Sequence, residues 1–254
     1  MSKPYIVIGN WKSNPQMLEE ARSIASAARA SARSLSRTEV VACPPFPFIS
    51  AAVPKQPVEG YAVGAQSVSV HAGGAHTGDV SAEMLSSIGV SYAIVGHSEQ
   101  RAAGDTDQMV AERAGRAIDA GLRAVVCIGE ASRDDEGSHL EFLKGQLAAA
   151  LGGIAAGRAA KAMIAYEPIW AIGAKAAMAP DDIYETSLFI RKTFADMFGA
   201  DAGRAVRVLY GGSVNAANAA EIIRVGKVDG LLVGRASVDA AEFDALLSAV
   251  DAVR

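Results

Sequence analysis

Eight short apolar runs, each closing on glycine or polar residues, constrain this 254-residue chain more than any other feature. In order they are YIVIGN (Tyr5–Asn10), VVACPP (Val40–Pro45), YAVGAQ (Tyr61–Gln66), YAIVGHS (Tyr92–Ser98), AVVCIGE (Ala124–Glu130), AMIAYEP (Ala162–Pro168), VRVLYGG (Val206–Gly212) and GLLVGR (Gly230–Arg235). Runs that are apolar on both faces suit parallel strands covered on both sides, rather than half-exposed antiparallel ones. Between most of them lie segments such as MLEEARSIASAARASARSL, DQMVAERAGRAIDAG and DDIYETSLFIRKTFADMF. Their apolar residues recur at spacings of three and four with charges between, the period of an amphipathic helix. Eight strands alternating with helices predict an α/β chain closed into a (β/α)8 barrel. A doubly wound open sheet shares that alternation and stays open at this point. No linker, low-complexity tract or composition shift divides the sequence, so residues 1–254 are expected to form a single barrel domain.

Charge and composition exclude other classes. The net charge is −4, and no Lys/Arg run is dense enough to follow a phosphate backbone, which argues against a nucleic-acid partner. No apolar stretch reaches the roughly 18–20 residues of a membrane span. The opening MSKPYIVIGNWK lacks the apolar core and cleavage site of a signal peptide, so a cytoplasmic location is expected. Cys43 and Cys127, the two cysteines, sit inside apolar runs and read as small core residues rather than disulfide partners or metal ligands.

Polar residues gather where the inferred strands end, the face on which such barrels build their sites. Asn10 and Lys12 close the first run, His97 and Glu99 the fourth, and Glu167 the sixth. Each alone has an ordinary structural reading: Asn10 or Lys12 solvated, His97 a loop or core histidine, Glu130 a helix-capping acid. Glu167 is harder to dismiss, because a carboxylate rarely enters a buried run and Pro168 holds it in extended backbone. Glycine-containing turns follow the seventh and eighth runs, where barrels of this kind frequently bind phosphate through backbone N–H groups.

Six motifs carry a resemblance. GNWK (Gly9–Lys12), GHSEQR (Gly96–Arg101), CIGE (Cys127–Glu130), AYEPIWAIG (Ala165–Gly173), YGGSV (Tyr210–Val214) and LLVG (Leu231–Gly234) resemble the triosephosphate isomerases in order and spacing along essentially the whole chain. The resemblance implies a closed barrel, usually a homodimer. It also implies interconversion of dihydroxyacetone phosphate and D-glyceraldehyde 3-phosphate, with no cofactor and no metal. Glu167 would move a proton between adjacent carbons, and His97 would polarise the carbonyl. Lys12 and Asn10 would stabilise enediolate charge beside Glu99, and the amides of Gly173, Ser213, Gly234 and Arg235 would hold the substrate phosphate. The segment PIWAIGAKAAM after Glu167 would be a lid, with Trp170 and Ile172 as its apolar anchors. GGAHTGDVS (Gly73–Ser81) would insert into the partner subunit through Thr77, and the neighbouring His71 and His76 receive no role.

Four positions depart from the family pattern. The lid reads Gly173-Ala174-Lys175 where Gly-Thr-Gly is common, so Tyr210 and Ser213 are expected to latch it through its backbone amides. Ala179 replaces a helix-capping Ser or Thr, Gln100 replaces an Arg, and Arg235 replaces a glycine. A sister isomerase of a longer ketose phosphate, such as a tetrulose phosphate, is the alternative, followed by a non-catalytic phosphate-binding barrel.

Overall fold

The computed structural model describes residues 3–134, 136–173 and 177–253. Eight parallel strands form one closed barrel in sequence order, from β1 round to β8. They are β1 (Tyr5–Asn10), β2 (Thr38–Cys43), β3 (Tyr61–Ala65), β4 (Tyr92–Val95), β5 (Arg123–Ile128), β6 (Ala162–Tyr166), β7 (Arg207–Tyr210) and β8 (Gly230–Val233). Closure rules out the open sheet. The helices around it include α1 (Leu18–Ser34), α2 (Ala82–Ser87), α3 (Ser98–Ala102), α4 (Asp107–Asp119), α5 (Ser138–Leu151) and α6 (Pro180–Phe198). Among the described residues, no helix is long and apolar enough to cross a membrane.

Alternation along the strands builds two apolar layers and aims the polar ends. Ile6 and Ile8, Val41 and Cys43, Val125 and Cys127, and Met163 and Ala165 fill the barrel interior with Tyr92, Ile94, Leu209 and Leu232. Intervening residues such as Val7, Val40, Val126 and Ile164 face the surrounding helices. With a side-chain period of two, the inward series 6, 8 continues to Asn10 and the inward series 163, 165 to Glu167. Both cysteines are buried and free, as expected.

The barrel closes where β8 meets β1, in a register pairing Ile6 with Gly230 and Gly9 with Val233. A methyl group on Gly230 would lie 1.9 Å from the Ile6 carbonyl oxygen, so only glycine lets these backbones pair. Gly230→Ala is therefore expected to destabilise the fold by about 1–3 kcal/mol or more, the usual cost of overpacking. Gly115, inside α4, has open space at its β position, and Gly115→Ala should instead stabilise by about 0.5–1 kcal/mol. Denaturant midpoints at unchanged slope check both.

Candidate active site

A cavity of about 600 Å³ opens at the C-terminal end of the barrel, lined by Asn10, Lys12, His97, Glu167, Gly173, Ser213, Gly234 and Arg235 among others. Eight of the nine residues singled out in the sequence line it, and the ninth, Glu99, reaches it through Lys12. A larger groove of about 900 Å³ lies between α1 and residues 47–58, but it holds no carboxylate or imidazole. The barrel mouth is where the acid–base groups meet.

Lys12 sits just past β1 with φ of +54°, a left-handed backbone that costs a non-glycine residue roughly 1–3 kcal/mol. Its neighbours hold it there. Lys12 N donates to Asn10 Oδ1 at 3.1 Å, and Gln66 Nε2 donates to Lys12 O at 2.8 Å and to Cys43 O at 2.9 Å. The Lys12 ammonium meets Glu99 Oε1 at 2.5 Å, which fixes the cation at the cavity wall.

His97 caps α3, and its Nδ1 accepts the Glu99 backbone N–H at 3.2 Å. An imidazole that accepts at Nδ1 carries its proton on Nε2. That nitrogen points at Glu167 Oε1, 3.1 Å away. Both side chains are buried, His97 at 5% and Glu167 at 3% exposure. Burial pushes the His97 pKa down, but the hydrogen bond and charge of Glu167, helped by Glu99, outweigh it, so the ring sits above its ordinary value near 6.5. Burial, reinforced by Glu167, pushes the Cys127 thiol well up, leaving a neutral floor under the site.

Two glycines make room for Glu167. A β-carbon on Gly129 would fall 1.8 Å from the Glu167 carbonyl oxygen, and one on Gly211 would fall 2.8 Å from Glu167 Cγ. The backbone of Glu167 is tied to β5, its N–H donating to Ile128 O at 2.8 Å. The carboxylate itself is held lightly, by His97 and by a long 3.4 Å bond from Ser98 N.

Glu130, whose ordinary reading taken alone is a helix-capping acid, caps no helix among the described residues. It is buried, and its Oε1 accepts from Arg133 Nε at 2.9 Å, Tyr166 Oη at 2.8 Å and Trp170 Nε1 at 3.0 Å. Trp170, 44% exposed, is thus held by its indole N–H. Ile172 does pack, half-buried at the cavity wall. On the far side of the segment, Met178 N donates to Tyr210 Oη at 3.1 Å, the expected backbone latch. The expectation for Ala174 and Lys175, including their latch to Ser213, lies outside the described residues; the Ser213 carbonyl accepts from Asn218 Nδ2 at 3.1 Å. Sequence reading also passed over Gln66, which has only an amide at a strand end to announce it. Glu130 did carry a signal, because it follows the β5 run much as Glu167 follows β6.

Comparison with known proteins finds relatives along nearly the whole chain. The family described as Triosephosphate isomerase matches residues 5–250. The triosephosphate isomerase of Idiomarina loihiensis is 39% identical over 251 residues, 98% of this chain and 99% of that one. That of Hyphomonas neptunium is 42% identical over 245 residues, covering 95% of this chain and 96% of its own. That of Cutibacterium acnes is 39% identical over 262 residues, with 99% and 100% covered.

Removing the Glu167 charge takes away the largest influence raising the His97 pKa and leaves the smaller one of Glu99 against burial and Lys12, which favour the neutral ring. In Glu167→Gln the imidazole should titrate at lower pH than in the parent protein, followed by NMR of the ring. An unchanged titration would place the charge that raises its pKa elsewhere.

Proposed function

Since the chain belongs to the triosephosphate isomerase family, we propose that it interconverts dihydroxyacetone phosphate and D-glyceraldehyde 3-phosphate by proton transfer through an enediolate. The observation that carries the reading is the contact of a buried carboxylate and a buried imidazole, Glu167 and His97, in a cavity that also holds the Lys12 ammonium. Moving a proton α to a carbonyl needs a base at carbon and donors at the oxygen where charge develops. Glu167 is the base. His97 Nε2–H and the Lys12 ammonium are the donors, Asn10 Oδ1 positions Lys12, and Glu99 fixes its charge.

Substrate enters between Glu167 and His97 and replaces their 3.1 Å hydrogen bond. The carboxylate then faces carbon while the imidazole, still accepting at Nδ1, donates to oxygen as a neutral ring. The backbone amides of Gly173, Ser213, Gly234 and Arg235 hold the phosphate, and the exposed Arg235 side chain adds a cation at the same end of the cavity. Closure of the segment between Pro168 and Met178 excludes water from the enediolate.

A coupled assay on both triose phosphates tests this reading, with a tetrulose phosphate as comparison. Triose phosphates should be preferred, and a reversed order would favour the sister isomerase. Glu167→Gln should lower kcat by at least roughly 10²–10⁴-fold, the worth of a positioned general base. A folded variant with near-parental turnover would remove Glu167 from this role.

The same reading makes the protein a homodimer, with the Gly73–Ser81 loop of each subunit near the other's Asn10 and Lys12. In support, Thr77 is exposed on that loop, and Met17, Leu18, Phe46, Met84 and Ile88 leave apolar surface in the segments following β1, β2 and β3. Light scattering at sub-micromolar concentration should give twice the chain mass of 26.2 kDa. An active monomer would contradict it.

A further inference from the structure

Outside the barrel, the groove of about 900 Å³ between α1 and residues 47–58 carries chemistry that the barrel mouth does not use. Every charged side chain lining it is a cation: Arg22, Arg29, Arg33 and Lys55. That is a local reversal in a chain with 28 acidic and 24 basic residues. Arg22, Ser26, Arg29 and Arg33 recur at spacings of four and three, so they form one stripe along α1, about 16 Å from first to last. Arg22 meets Glu19 at 2.6 Å, but Arg29, Arg33 and Lys55 pair with no carboxylate among the described residues. Arg113, Arg133 and Arg191, by contrast, are matched with Asp105, Glu130 and Asp229. Arg29 is also fixed in place. Its Nη1 donates to Ala52 O at 3.1 Å, the carbonyl that also takes the Tyr61 hydroxyl at 3.1 Å. The guanidinium lies 5.9 Å from the centroid of the Tyr61 ring. The facing wall contributes Val53, Pro54 and Val58, all half-buried.

We propose that this groove binds an organic polyphosphate of the nucleoside triphosphate class. Guanidinium groups match phosphate oxygens in two-point hydrogen bonds, and Arg29 presents one already positioned. Three unmatched cations repel one another until an anion joins them, and a triphosphate brings several charges at once. Val53, Pro54 and Val58 offer apolar surface to a base. Beyond Arg33 lies a second hollow with Glu39 and Glu59 on its wall, so the basic stretch ends where further anionic groups are repelled. That bound favours a compact ligand over an extended nucleic-acid strand. Leu18, at the mouth end of the groove, belongs with the face proposed for the dimer. Arg29 and Arg33 stand about three and four turns further along α1. None of the groove's residues lines the barrel-mouth cavity, so the site is independent of the isomerase reading.

The test is a calorimetric titration of the protein with ATP, free of divalent cations, at low salt. One ATP per chain should bind with sub-millimolar affinity, and raising the salt from about 50 mM to about 300 mM should weaken it several-fold. Arg33 and Lys55 are exposed, so the double variant Arg33→Ala/Lys55→Glu should keep the parental circular dichroism. It should bind ATP at least about tenfold more weakly. Lys192→Ala, which removes an exposed cation on α6, should leave binding unchanged. Inorganic tripolyphosphate should bind at least about threefold more weakly than ATP, because it has no base to bury. Dihydroxyacetone phosphate should not displace ATP. Absence of saturable binding would overturn the proposal, as would binding that survives the double variant or that dihydroxyacetone phosphate displaces. Equal binding of tripolyphosphate and ATP would overturn it too, reducing the groove to a general polyanion surface.

Discussion

Where β8 returns to β1, the two backbones approach so closely that any side chain at Gly230 would collide with the Ile6 carbonyl. That contact turns a sheet into a barrel, and the site depends on it. Closure removes every strand edge that could pair with another chain. It also brings all the strand ends to one mouth, because all eight strands run the same way. Lys12, His97, Glu167 and Gly234 follow strands far apart in sequence, and no local segment could assemble them. An open sheet would have spread the same residues along a ridge.

Two buried carboxylates share that mouth, and they are compensated in opposite ways. Burying a charge is costly unless it is paired and hydrogen-bonded. Glu130 offsets the cost at Oε1, where three donors converge, while its buried Oε2 has no hydrogen-bond partner among the described residues. A carboxylate held by that many bonds does not move, and it suits an anchor for the indole of Trp170. Glu167 has one imidazole and one long amide contact. Light holding suits the role proposed for Glu167, in which the carboxylate leaves His97 for a substrate carbon. The space that Gly129 and Gly211 leave around Glu167 serves the same end, since a methyl group at either position would press on it.

The sequence was legible wherever a residue's role follows from its parity or its period. The apolar runs located all eight strands, because a strand buried on both faces needs an apolar residue at nearly every position. Counting by twos from Ile6 or Met163 even orients Asn10 and Glu167 inward. What stayed hidden depends on partners distant in the chain. Glu130 taken alone reads as a helix cap because its neighbours in sequence permit one, while Tyr166 and Trp170 reach it from the end of β6 and the segment just beyond. Gln66 gave no sign that its amide would brace the strained backbone of Lys12. Trp170 looked like an apolar anchor, since sequence does not tell whether an indole is held by its ring or by its N–H.

Three of the four departures from the family pattern, Gln100, Ala179 and Arg235, fall where the backbone or a neighbour can carry the task. Among the described residues, only Lys12 and Lys227 place a side chain on positive φ. Arg235 therefore keeps the ordinary backbone that a non-glycine residue accepts, and its amide is retained with a side chain added. Ala179 contributes no side-chain cap, yet α6 still begins there, with Pro180 preset for the first helical position and Asp181 and Asp182 facing the positive end of the helix. Gln100 replaces a charged residue but lies beside Gln66, donating to its carbonyl at 3.4 Å. Asn10, Lys12, His97 and Glu167 have no such substitutes. On the proposed mechanism each would act through a particular side-chain atom, and a neighbouring peptide group can supply neither a base at carbon nor a mobile proton at oxygen. The proposed site would therefore accept change more readily where amides bind than where side chains hold the proton.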